Sequence, residues 1–366
     1  MRSGTVLIAG GGTGGHLMPA LAIAAELRRR APRIEPVLVG AERGIEADLL
    51  PTRDYRFHLL PAEPIYRRQW WKNVRWPLVA ARLVRRTGAL LAVEQPLAVL
   101  GTGGYASAPV VWLAARRGIP TAIQEQNAFP GLATRRLAGR VRHIYLGLPE
   151  ARARLRLGPR TEVFDTGNPI TPPHPPGRPA ALARFGIPEG RPVVLITGGS
   201  QGANAINEAT AAWLASGGAR GCVVLWATGK SGYARWAGLN QPPGVQVFDF
   251  LDPMSAGYAV ADLVVARAGM MTGAELCAWG LPSILIPLPT AAADHQVHNA
   301  RALEGAGAAR CLLQRDLTPG ALGAAVAGLL AAPEQRKAMA QAALKRGRPE
   351  ASSEIVSRLL TLFGEG

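Results

Sequence analysis

The sequence predicts an α/β protein made of two Rossmann-like domains, each built on a parallel sheet. Short apolar runs alternate with helical segments along the chain. Two of these runs lead directly into a glycine-rich loop and then a helix, and a proline-rich stretch lies between the two occurrences of this pattern. Such alternation is typical of parallel sheets covered by helices on both faces, and 366 residues suffice for two cores of ordinary size.

The first half carries three loops that each follow a predicted strand. They are AGGGTGGH at residues 9–16, GTGGYASAP at 101–109 and EQNAFPG at 125–131. Strands are predicted at residues 5–9, 36–39, 97–100, 121–124 and 143–146, with a helix at 20–30. Because parallel strands end at one edge of a sheet, we expect these loops to form a pocket for a polar substrate.

The second half repeats the theme after a linker. Residues 167–179, GNPITPPHPPGRP, hold six prolines and no apolar periodicity. Beyond them we predict strands at residues 192–197, 223–227, 245–248, 263–266 and 283–287, a glycine loop at 198–203, a helix at 204–215 and an amphipathic helix at 353–363. The expected domains are therefore 1–166 and 181–345, joined by a linker at 167–180. A final helical segment at 346–366 can pack on either domain, and packing back on the N-terminal one is among the possibilities.

Composition excludes several classes of protein. Hydrophobic residues make up 48% and charged residues 18%, which excludes a disordered chain. Three cysteines without paired spacing argue against a disulfide framework or a zinc cluster. Uncharged stretches at residues 95–115 and 276–293 are broken by glycine and proline, so we interpret them as buried strands and loops rather than membrane spans. The short apolar run before the first glycine loop does not fit a signal peptide, and we expect a soluble, cytoplasmic-type protein.

Positive charge is concentrated in the first half. Residues 1–167 carry 25 Lys and Arg against 12 Asp and Glu, whereas residues 168–366 carry 16 against 13. This asymmetry indicates a polyanionic partner for the N-terminal half, such as nucleic acid, anionic lipid or a phosphorylated substrate.

The first glycine loop matches a dinucleotide fingerprint only in part. Gly10, Gly12 and Gly15 have the spacing, but a glycine ends the second strand where a nicotinamide site needs a carboxylate, and Glu42 comes two residues later. Binding of an anion or a sugar at the helix N-terminus is the stronger interpretation. His16 lies at the turn from strand to helix, where it has either a structural role or a role in the reaction.

Loops of the second half suit a nucleotide diphosphate and a sugar. The loop GGSQGA offers backbone N–H groups and the Ser200 hydroxyl to a phosphate, and it lacks the lysine of a P-loop. In RAGMMTGAE, residues 267–275, amides near Met271 and Thr272 can hold a diphosphate while Glu275 accepts from ribose hydroxyls. In residues 288–300 the polar side chains of Asp294, Gln296 and Asn299 can bind sugar hydroxyls, although Asp294 is also suited to cap a helix. No Asp-x-Asp pair occurs, so neither a metal nor another cofactor is expected.

Six motifs, in their order and spacing, closely resemble those of the MurG family: GGTGGHLMPA, GTGGYASAP, EQNAFPGL, GGSQGAN, RAGMMTGAE and DHQVHNA. This family comprises the UDP-N-acetylglucosamine (UDP-GlcNAc) transferases of peptidoglycan synthesis. The resemblance implies a GT-B fold, in which two Rossmann-like domains with parallel sheets face each other across a cleft. It also implies inverting, metal-independent transfer of GlcNAc to undecaprenyl-pyrophosphoryl-MurNAc-pentapeptide (lipid I), which yields lipid II at the cytoplasmic face of the inner membrane.

The resemblance also assigns site residues. It implies that Glu275 contacts ribose, that the backbone of Leu251 reads uracil, that Ser200 contacts the diphosphate and that Gln296 contacts GlcNAc hydroxyls. The full set implied for UDP-GlcNAc is Thr13, Gly14, Gly15, Asn127, Ser200, Leu251, Met270, Met271, Thr272, Gly273, Ala274, Glu275 and Gln296. An arginine of the family that contacts the diphosphate is replaced by Thr171, so that contact is not carried over.

Inverting transfer needs a base for the proton of the acceptor hydroxyl. His16 is the first candidate and Glu125, in the loop at residues 125–131, is the second. Glycine loops and helix N-termini would stabilise the departing UDP.

A lipid-linked acceptor calls for membrane contact, and residues 65–86 hold seven basic residues, three tryptophans and no acidic residue. The expected contacts are Trp70, Trp71, Lys72, Arg75 and Trp76, although a solvated basic helix remains the plain alternative. Two other functions stay open, namely another GT-B enzyme acting on UDP-GlcNAc (a glycolipid synthase or a non-hydrolysing epimerase) and nucleic-acid binding. The absence of an evident base-stacking platform or reading helix argues against nucleic acid.

Overall fold

The computed structural model describes residues 3–63, 76–175, 177–199 and 202–364. They form two compact units, one of residues 1–171 together with 350–366 and one of residues 172–349. The break near residue 171 falls inside the proline-rich segment, and the chain returns to the first unit for its last helix.

The first unit is a seven-stranded parallel sheet with helices on both faces. Its strands are β1 (Gly4–Gly10), β2 (Ile34–Ala41), β3 (Phe57–Leu60), β4 (Ala98–Gly103), β5 (Thr121–Glu125), β6 (His143–Leu146) and β7 (Glu162–Phe164). Its helices are α1 (Gly14–Arg30), α2 (Glu46–Leu49), α3 (Trp76–Glu94), α4 (Ser107–Arg116), α5 (Leu132–Leu137) and, at the C-terminus, α14 (Ala351–Thr361), with 3₁₀ turns at Leu50–Thr52 and Pro149–Arg154. The strand order is 3-2-1-4-5-6-7, and all pairs are parallel.

Alternation along the strands divides the core of this unit into two layers. Leu7 of β1 faces α3 and α4, whereas its neighbours Val6 and Ile8 face α1 and α14. Helix α14 buries Ile355 and Leu359 completely in the second layer. The last helix of the chain is therefore part of the first unit's core.

The second unit repeats the topology with six parallel strands in the order 10-9-8-11-12-13. Its strands are β8 (Val193–Thr197), β9 (Val223–Ala227), β10 (Val245–Phe248), β11 (Leu263–Ala266), β12 (Ser283–Leu285) and β13 (Arg310–Cys311). Its helices are α6 (Arg178–Arg184), α7 (Asn204–Ala215), α8 (Tyr233–Trp236), α9 (Met254–Val260), α10 (Met270–Ala278), α11 (His295–Gly305), α12 (Pro319–Leu330) and α13 (Pro333–Arg346), with 3₁₀ turns at Ala237–Leu239, Ala292–Asp294 and Gln314–Asp316. The predicted class of two parallel α/β sheets is confirmed.

Three short strands were missed by the sequence interpretation: β3, β7 and β13. They have four, three and two residues, respectively, and all three lie at sheet edges. An edge strand pairs on one side only, so it need not show the continuous apolar run that marks a central parallel strand.

Candidate active site

In both sheets the order in which successive strands are added reverses at the first strand. In the first unit β1 lies between β2 and β4, and in the second unit β8 lies between β9 and β11. The strand order reverses at such a point, and open α/β sheets bind ligands in the crevice that this creates at the carboxyl ends of the strands. The loops that follow β1, β4, β8 and β11 are the glycine-rich motifs of the sequence.

In the first unit the loops after β1 and β4 touch through their backbones. A Cβ atom added to Gly104 would lie 1.9 Å from the carbonyl oxygen of Gly11, and Gly104 has a φ of +82°. A Cβ atom on Gly103, whose φ is +100°, would lie 2.6 Å from Cδ2 of His16. These glycines therefore let one loop lie directly against the other and leave room for the imidazole.

His16 is held on the first turn of α1. Thr13 precedes the helix in an extended conformation, and its carbonyl oxygen accepts from the N–H groups of His16 and Leu17. The imidazole Nδ1 lies 3.2 Å from the carbonyl oxygen of Gly11 and 3.2 Å from Oγ1 of Thr13. A carbonyl oxygen can only accept, so a hydrogen bond to Gly11 places the proton on Nδ1 and leaves Nε2 as the basic nitrogen, whereas the Thr13 hydroxyl can either accept from Nδ1 or donate to it.

The other predicted residues of this loop begin the same helix. Gly14 and Gly15 are the first two residues of α1, so their N–H groups lie among those that a helix start leaves without intrahelical partners. From the neighbouring loop, the Thr102 hydroxyl donates to the carbonyl oxygen of His16 at 2.9 Å.

Glu125 is the last residue of β5, and its side chain bonds to the loop that follows. It is 4% exposed, and its carboxylate accepts four hydrogen bonds. The Asn127 N–H and side-chain amide donate to Oε1, while the Gly131 N–H and the Thr134 hydroxyl donate to Oε2. Glu125 and Asn127 thus contact each other directly.

Hydrogen bonds connect this loop to its neighbours. The Gln126 amide donates to the carbonyl oxygen of Thr102 at 2.8 Å, and the Asn168 amide donates to the carbonyl oxygen of Gln126. Gln124 in turn donates to Asn168 at 2.9 Å. The loops that carry His16 and Glu125 therefore belong to one hydrogen-bonded edge of the first unit.

Sequence interpretation missed Glu46, which lies beneath the first glycine loop. The N–H of Gly12 donates to its carboxylate at 2.9 Å, and so does the N–H of Ala41 at 2.8 Å. Glu42, the acidic residue considered from the sequence, is exposed. The available signal was the pair Gly40 and Gly44 around the turn, where a Cβ atom would overlap the Glu46 side chain.

In the second unit Glu275 lies on α10, with Met270, Met271, Thr272, Gly273 and Ala274 preceding it in the same helix. The Tyr258 hydroxyl donates to Oε2 of Glu275 at 2.8 Å. Burial raises the pKa of Glu275, while the hydrogen bond from Tyr258 opposes that rise, and burial together with the carboxylate raises the pKa of Tyr258. One carboxylate oxygen is therefore fixed by the protein, and Oε1 accepts nothing from the residues described.

Gln296 and Leu251 are likewise fixed by their surroundings. Oε1 of Gln296 accepts from the N–H of Leu288 at 3.0 Å, which orients the side-chain NH₂ group. Leu251 is buried next to Gly257, where a Cβ atom would lie 2.5 Å from its Cδ2. Asp294 occupies the N-cap position of α11 with a φ of +51°, but its side chain makes no capping hydrogen bond.

Several predicted residues lie outside the described part of the chain: Ser200, Trp70, Trp71, Lys72 and Arg75. Trp76 is described and begins α3. Within the described ranges, no helix combines the length and apolar character needed to cross a bilayer.

The chain matches two family models that together cover most of its length. Residues 6–146 match the glycosyltransferase family 28 N-terminal domain, and residues 193–355 match the glycosyltransferase family 28 C-terminal domain. A protein of Prosthecochloris aestuarii, named as UDP-N-acetylglucosamine--N-acetylmuramyl-(pentapeptide) pyrophosphoryl-undecaprenol N-acetylglucosamine transferase, is 39% identical over 98% of both chains. A protein of Salinibacter ruber with the same name is 39% identical over 99% of this chain and 97% of its own.

The chain belongs to the MurG family of glycosyltransferases. The crystal structure of Acinetobacter baumannii MurG agrees, with a TM-score of 0.77 and 25% identity over 98% of this chain and 100% of that one. A putative UDP-N-acetylglucosamine 2-epimerase of Listeria monocytogenes has a TM-score of 0.68 at 16% identity, covering 100% of this chain and 98% of its own. That second likeness concerns the fold alone. The predicted GT-B class and the MurG-family resemblance are confirmed.

The contact between the two loops predicts that an added methyl group destabilises the protein more at Gly104 than at a left-handed glycine without close neighbours. Gly104→Ala should destabilise the chain by at least about 3 kcal/mol, because the left-handed backbone costs about 1–2 kcal/mol and the new Cβ overlaps Gly11. Gly118 has a φ of +75° but no heavy atom within 4 Å of its added Cβ, so Gly118→Ala should show the backbone cost alone. Urea unfolding of both variants measures the difference, and equal losses would contradict the described loop contact.

Proposed function

We propose that this protein transfers GlcNAc from UDP-GlcNAc to the C4 hydroxyl of MurNAc in undecaprenyl-pyrophosphoryl-MurNAc-pentapeptide, with inversion at the anomeric carbon. The observation that carries the proposal is the near full-length similarity to relatives named for this transfer, in a chain whose glycine loops lie at both switch points. In this proposal the second unit makes most contacts with the nucleotide sugar. The first unit adds donor contacts from Thr13, Gly14, Gly15 and Asn127 and holds the acceptor and the base.

The geometry of the second unit supports the proposed nucleotide contacts. Glu275 presents Oε1 to ribose hydroxyls while Tyr258 holds Oε2. The N-terminus of α10 supplies N–H groups for a diphosphate, and the oriented NH₂ group of Gln296 can donate to a sugar hydroxyl. As the bond between the anomeric carbon and UDP breaks, such N–H groups stabilise the charge that develops on the leaving diphosphate.

Of the two candidate bases, His16 has the better geometry. Its Nδ1 is directed at a carbonyl oxygen, so Nε2 is the nitrogen that can take the proton of the acceptor hydroxyl. The Glu125 carboxylate accepts hydrogen bonds at both oxygens from its own loop, which is the arrangement of a group that holds a loop in shape. We therefore propose His16 as the general base and Glu125 as the anchor of the Asn127 loop.

Incubation with UDP-[14C]GlcNAc and a lipid I analogue tests the reaction. The proposal predicts a radiolabelled lipid-linked disaccharide, formed only when both substrates are present. An epimerase would leave the label in the nucleotide-sugar pool as the C2 epimer without any need for the acceptor. That result would overturn the proposal in favour of the alternative that shares the fold.

His16→Ala should lower kcat by about two to four orders of magnitude, because the acceptor hydroxyl then loses its proton acceptor. The KM for UDP-GlcNAc should change little, since the His16 side chain is not among the proposed donor contacts. Steady-state kinetics at saturating acceptor measure both constants. A small loss in His16→Ala together with a larger one in Glu125→Gln would exchange the roles of the two residues.

Donor binding should weaken in acid because the ionised Glu275 carboxylate is a stronger acceptor for ribose hydroxyls than the protonated carboxyl group. Burial raises its pKa, so affinity for UDP should begin to fall at a higher pH than an ordinary glutamate would give. Tyr258→Phe removes the hydrogen bond that opposes this rise, so the fall should begin at a still higher pH. Calorimetric titration of UDP across a pH series measures these shifts.

Glu275→Gln separates this effect from the titration of UDP itself. The variant should lose about 1.5–3 kcal/mol of binding free energy at neutral pH, as for a hydrogen bond to a charged group. Its remaining pH dependence should be that of the ligand alone. A profile in Glu275→Gln that matches the wild type would mean that Glu275 is not the titrating contact.

We also propose that α3 contacts an anionic membrane surface. One face of the helix is buried through Leu83, Leu90 and Leu91, while Leu78 and Val93 on the opposite side are each 78% exposed. Exposed arginines, Arg82, Arg85 and Arg86, lie along the same side at helical spacing. Exposed apolar side chains combined with basic ones suit the headgroup layer of an anionic bilayer.

The combined change Leu78→Ser, Arg82→Glu should weaken sedimentation with phosphatidylglycerol vesicles at least about tenfold, because each basic residue contributes about 1 kcal/mol near an anionic surface. Leu344→Ser, at a 55% exposed leucine of the second unit, is the matched control and should leave binding unchanged. Added salt should weaken wild-type binding. Equal sedimentation of both variants and the wild type would exclude α3 as the contact surface.

A further inference from the structure

One peptide group of the first glycine loop lies between two ionisable side chains. The carbonyl oxygen of Gly11 lies 3.2 Å from Nδ1 of His16, and the N–H of Gly12 donates to both oxygens of Glu46 at 2.9 Å. These two groups belong to the same planar peptide bond. Glu46 and His16 are therefore joined by one rigid, polar link.

Glu46 is an unusual residue in this position. It is 0% exposed, and all its hydrogen bonds within the described ranges come from backbone N–H groups, those of Gly12 and Ala41. No Lys or Arg of the described chain forms an ion pair with it. A buried carboxylate without a cation carries a desolvation penalty that hydrogen bonds offset only in part.

The backbone is shaped around this carboxylate. A Cβ atom on Gly11 would lie 2.0 Å from Oε1 of Glu46, one on Gly44 2.3 Å from Oε2, and one on Gly40 2.3 Å from Cγ. Three glycines from the β1 loop, β2 and the following turn thus form a cradle for a single side chain. The cradle fixes the carboxylate directly beneath the peptide that contacts His16.

We propose that Glu46 is a positioning residue for His16 that acts through the Gly11–Gly12 peptide; this inference rests on the proposed function of His16 as the base. The negative charge at the N–H end polarises the peptide, so the Gly11 carbonyl oxygen becomes a stronger acceptor for the Nδ1 proton. This fixes the tautomer and the ring orientation and stabilises the imidazolium that forms during transfer. An acidic residue has the same role in a Ser-His-Asp triad, where it contacts the imidazole directly.

The proton balance of the step is simple. The acceptor oxygen forms its bond to the anomeric carbon as the bond to UDP breaks, and the bonding electron pair leaves with the UDP phosphate. The acceptor proton moves to Nε2 of His16. No proton moves to Glu46, which stays a carboxylate throughout.

A double-mutant cycle tests the proposal. Glu46→Gln keeps the size of the side chain and removes its charge, so kcat should fall about 10–100-fold, as is usual when a group that orients a functional histidine is lost. The KM for UDP-GlcNAc should stay near the wild-type value. In a His16→Ala background the same change should have less than about threefold further effect, because residues that act as a unit are not additive.

Glu94→Gln is the matched control. The Glu94 side chain is only 2% exposed in the same unit, but it pairs with Arg56 and His58 and has no contact with the glycine loop. This variant should lose stability in urea unfolding and keep its kcat. The comparison separates general loss of a buried carboxylate from loss of this one.

Gly44→Ala gives a second route if Glu46→Gln does not fold. Its new Cβ displaces the carboxylate while the charge is kept, so kcat should again fall with KM unchanged. An unchanged kcat in either folded variant, or losses that multiply in the double mutant, would show Glu46 to be an ordinary structural residue while His16 keeps its role. A wild-type kcat in His16→Ala would instead refute the base assignment itself.

Discussion

The Gly11 carbonyl oxygen lies so close to Gly104 that a side chain on Gly104 would overlap it. This backbone contact sets the geometry of the whole N-terminal site. It brings Gly103 next to the imidazole of His16, and the Gly11 carbonyl oxygen lies close to Nδ1 of the same ring. The same peptide is held from its other end by Glu46. The His16 imidazole is thus positioned by closely packed backbone groups.

The two units use one topology for different chemistry. Each has its glycine loops at a switch point, where helix N-termini and strand ends meet. In the first unit that edge carries an imidazole and a network of amides linking Gln124, Gln126 and Asn168. In the second unit it carries a partly buried carboxylate held by Tyr258. The first arrangement suits proton transfer and the second suits recognition of ribose.

Much of the fold could be predicted from the sequence because the central strands are short apolar runs, and β1, β4 and β8 lead into glycine-rich loops. The edge strands β3, β7 and β13 could not, since they are short and pair on one side. The loops expected to carry the site lie at strand ends, as the rule for open α/β sheets predicts, whereas the individual ligand contacts were predicted from the resemblance to the MurG family. Their roles depend on hydrogen bonds that sequence patterns do not contain. Glu125 is an example, because only the structure shows that both its oxygens accept from its own loop.

Glu46 is the clearest example of a residue whose contacts could not be predicted from the sequence. It lies 34 positions after Gly12 and follows a turn of no recognised motif, so its contact with the loop depends on how β1 and β2 pair. Tyr258 is similar, since its contact with Glu275 joins α9 to α10. Both residues act on a recognisable side chain from a different element. Such pairings follow from tertiary packing, and for Glu46 the sequence offers only the two glycines around its turn as a signal.

The tautomer of His16 tests the central claim most directly. In protein labelled with ¹⁵N-histidine, the His16 signals can be assigned by their loss in His16→Gln, and the nitrogen chemical shifts of the neutral ring identify the protonated nitrogen. The account predicts a proton on Nδ1, held by the Gly11 carbonyl oxygen, and a lone pair on Nε2. A neutral ring that carries its proton on Nε2 would contradict the account, because the nitrogen proposed as the base would already be occupied.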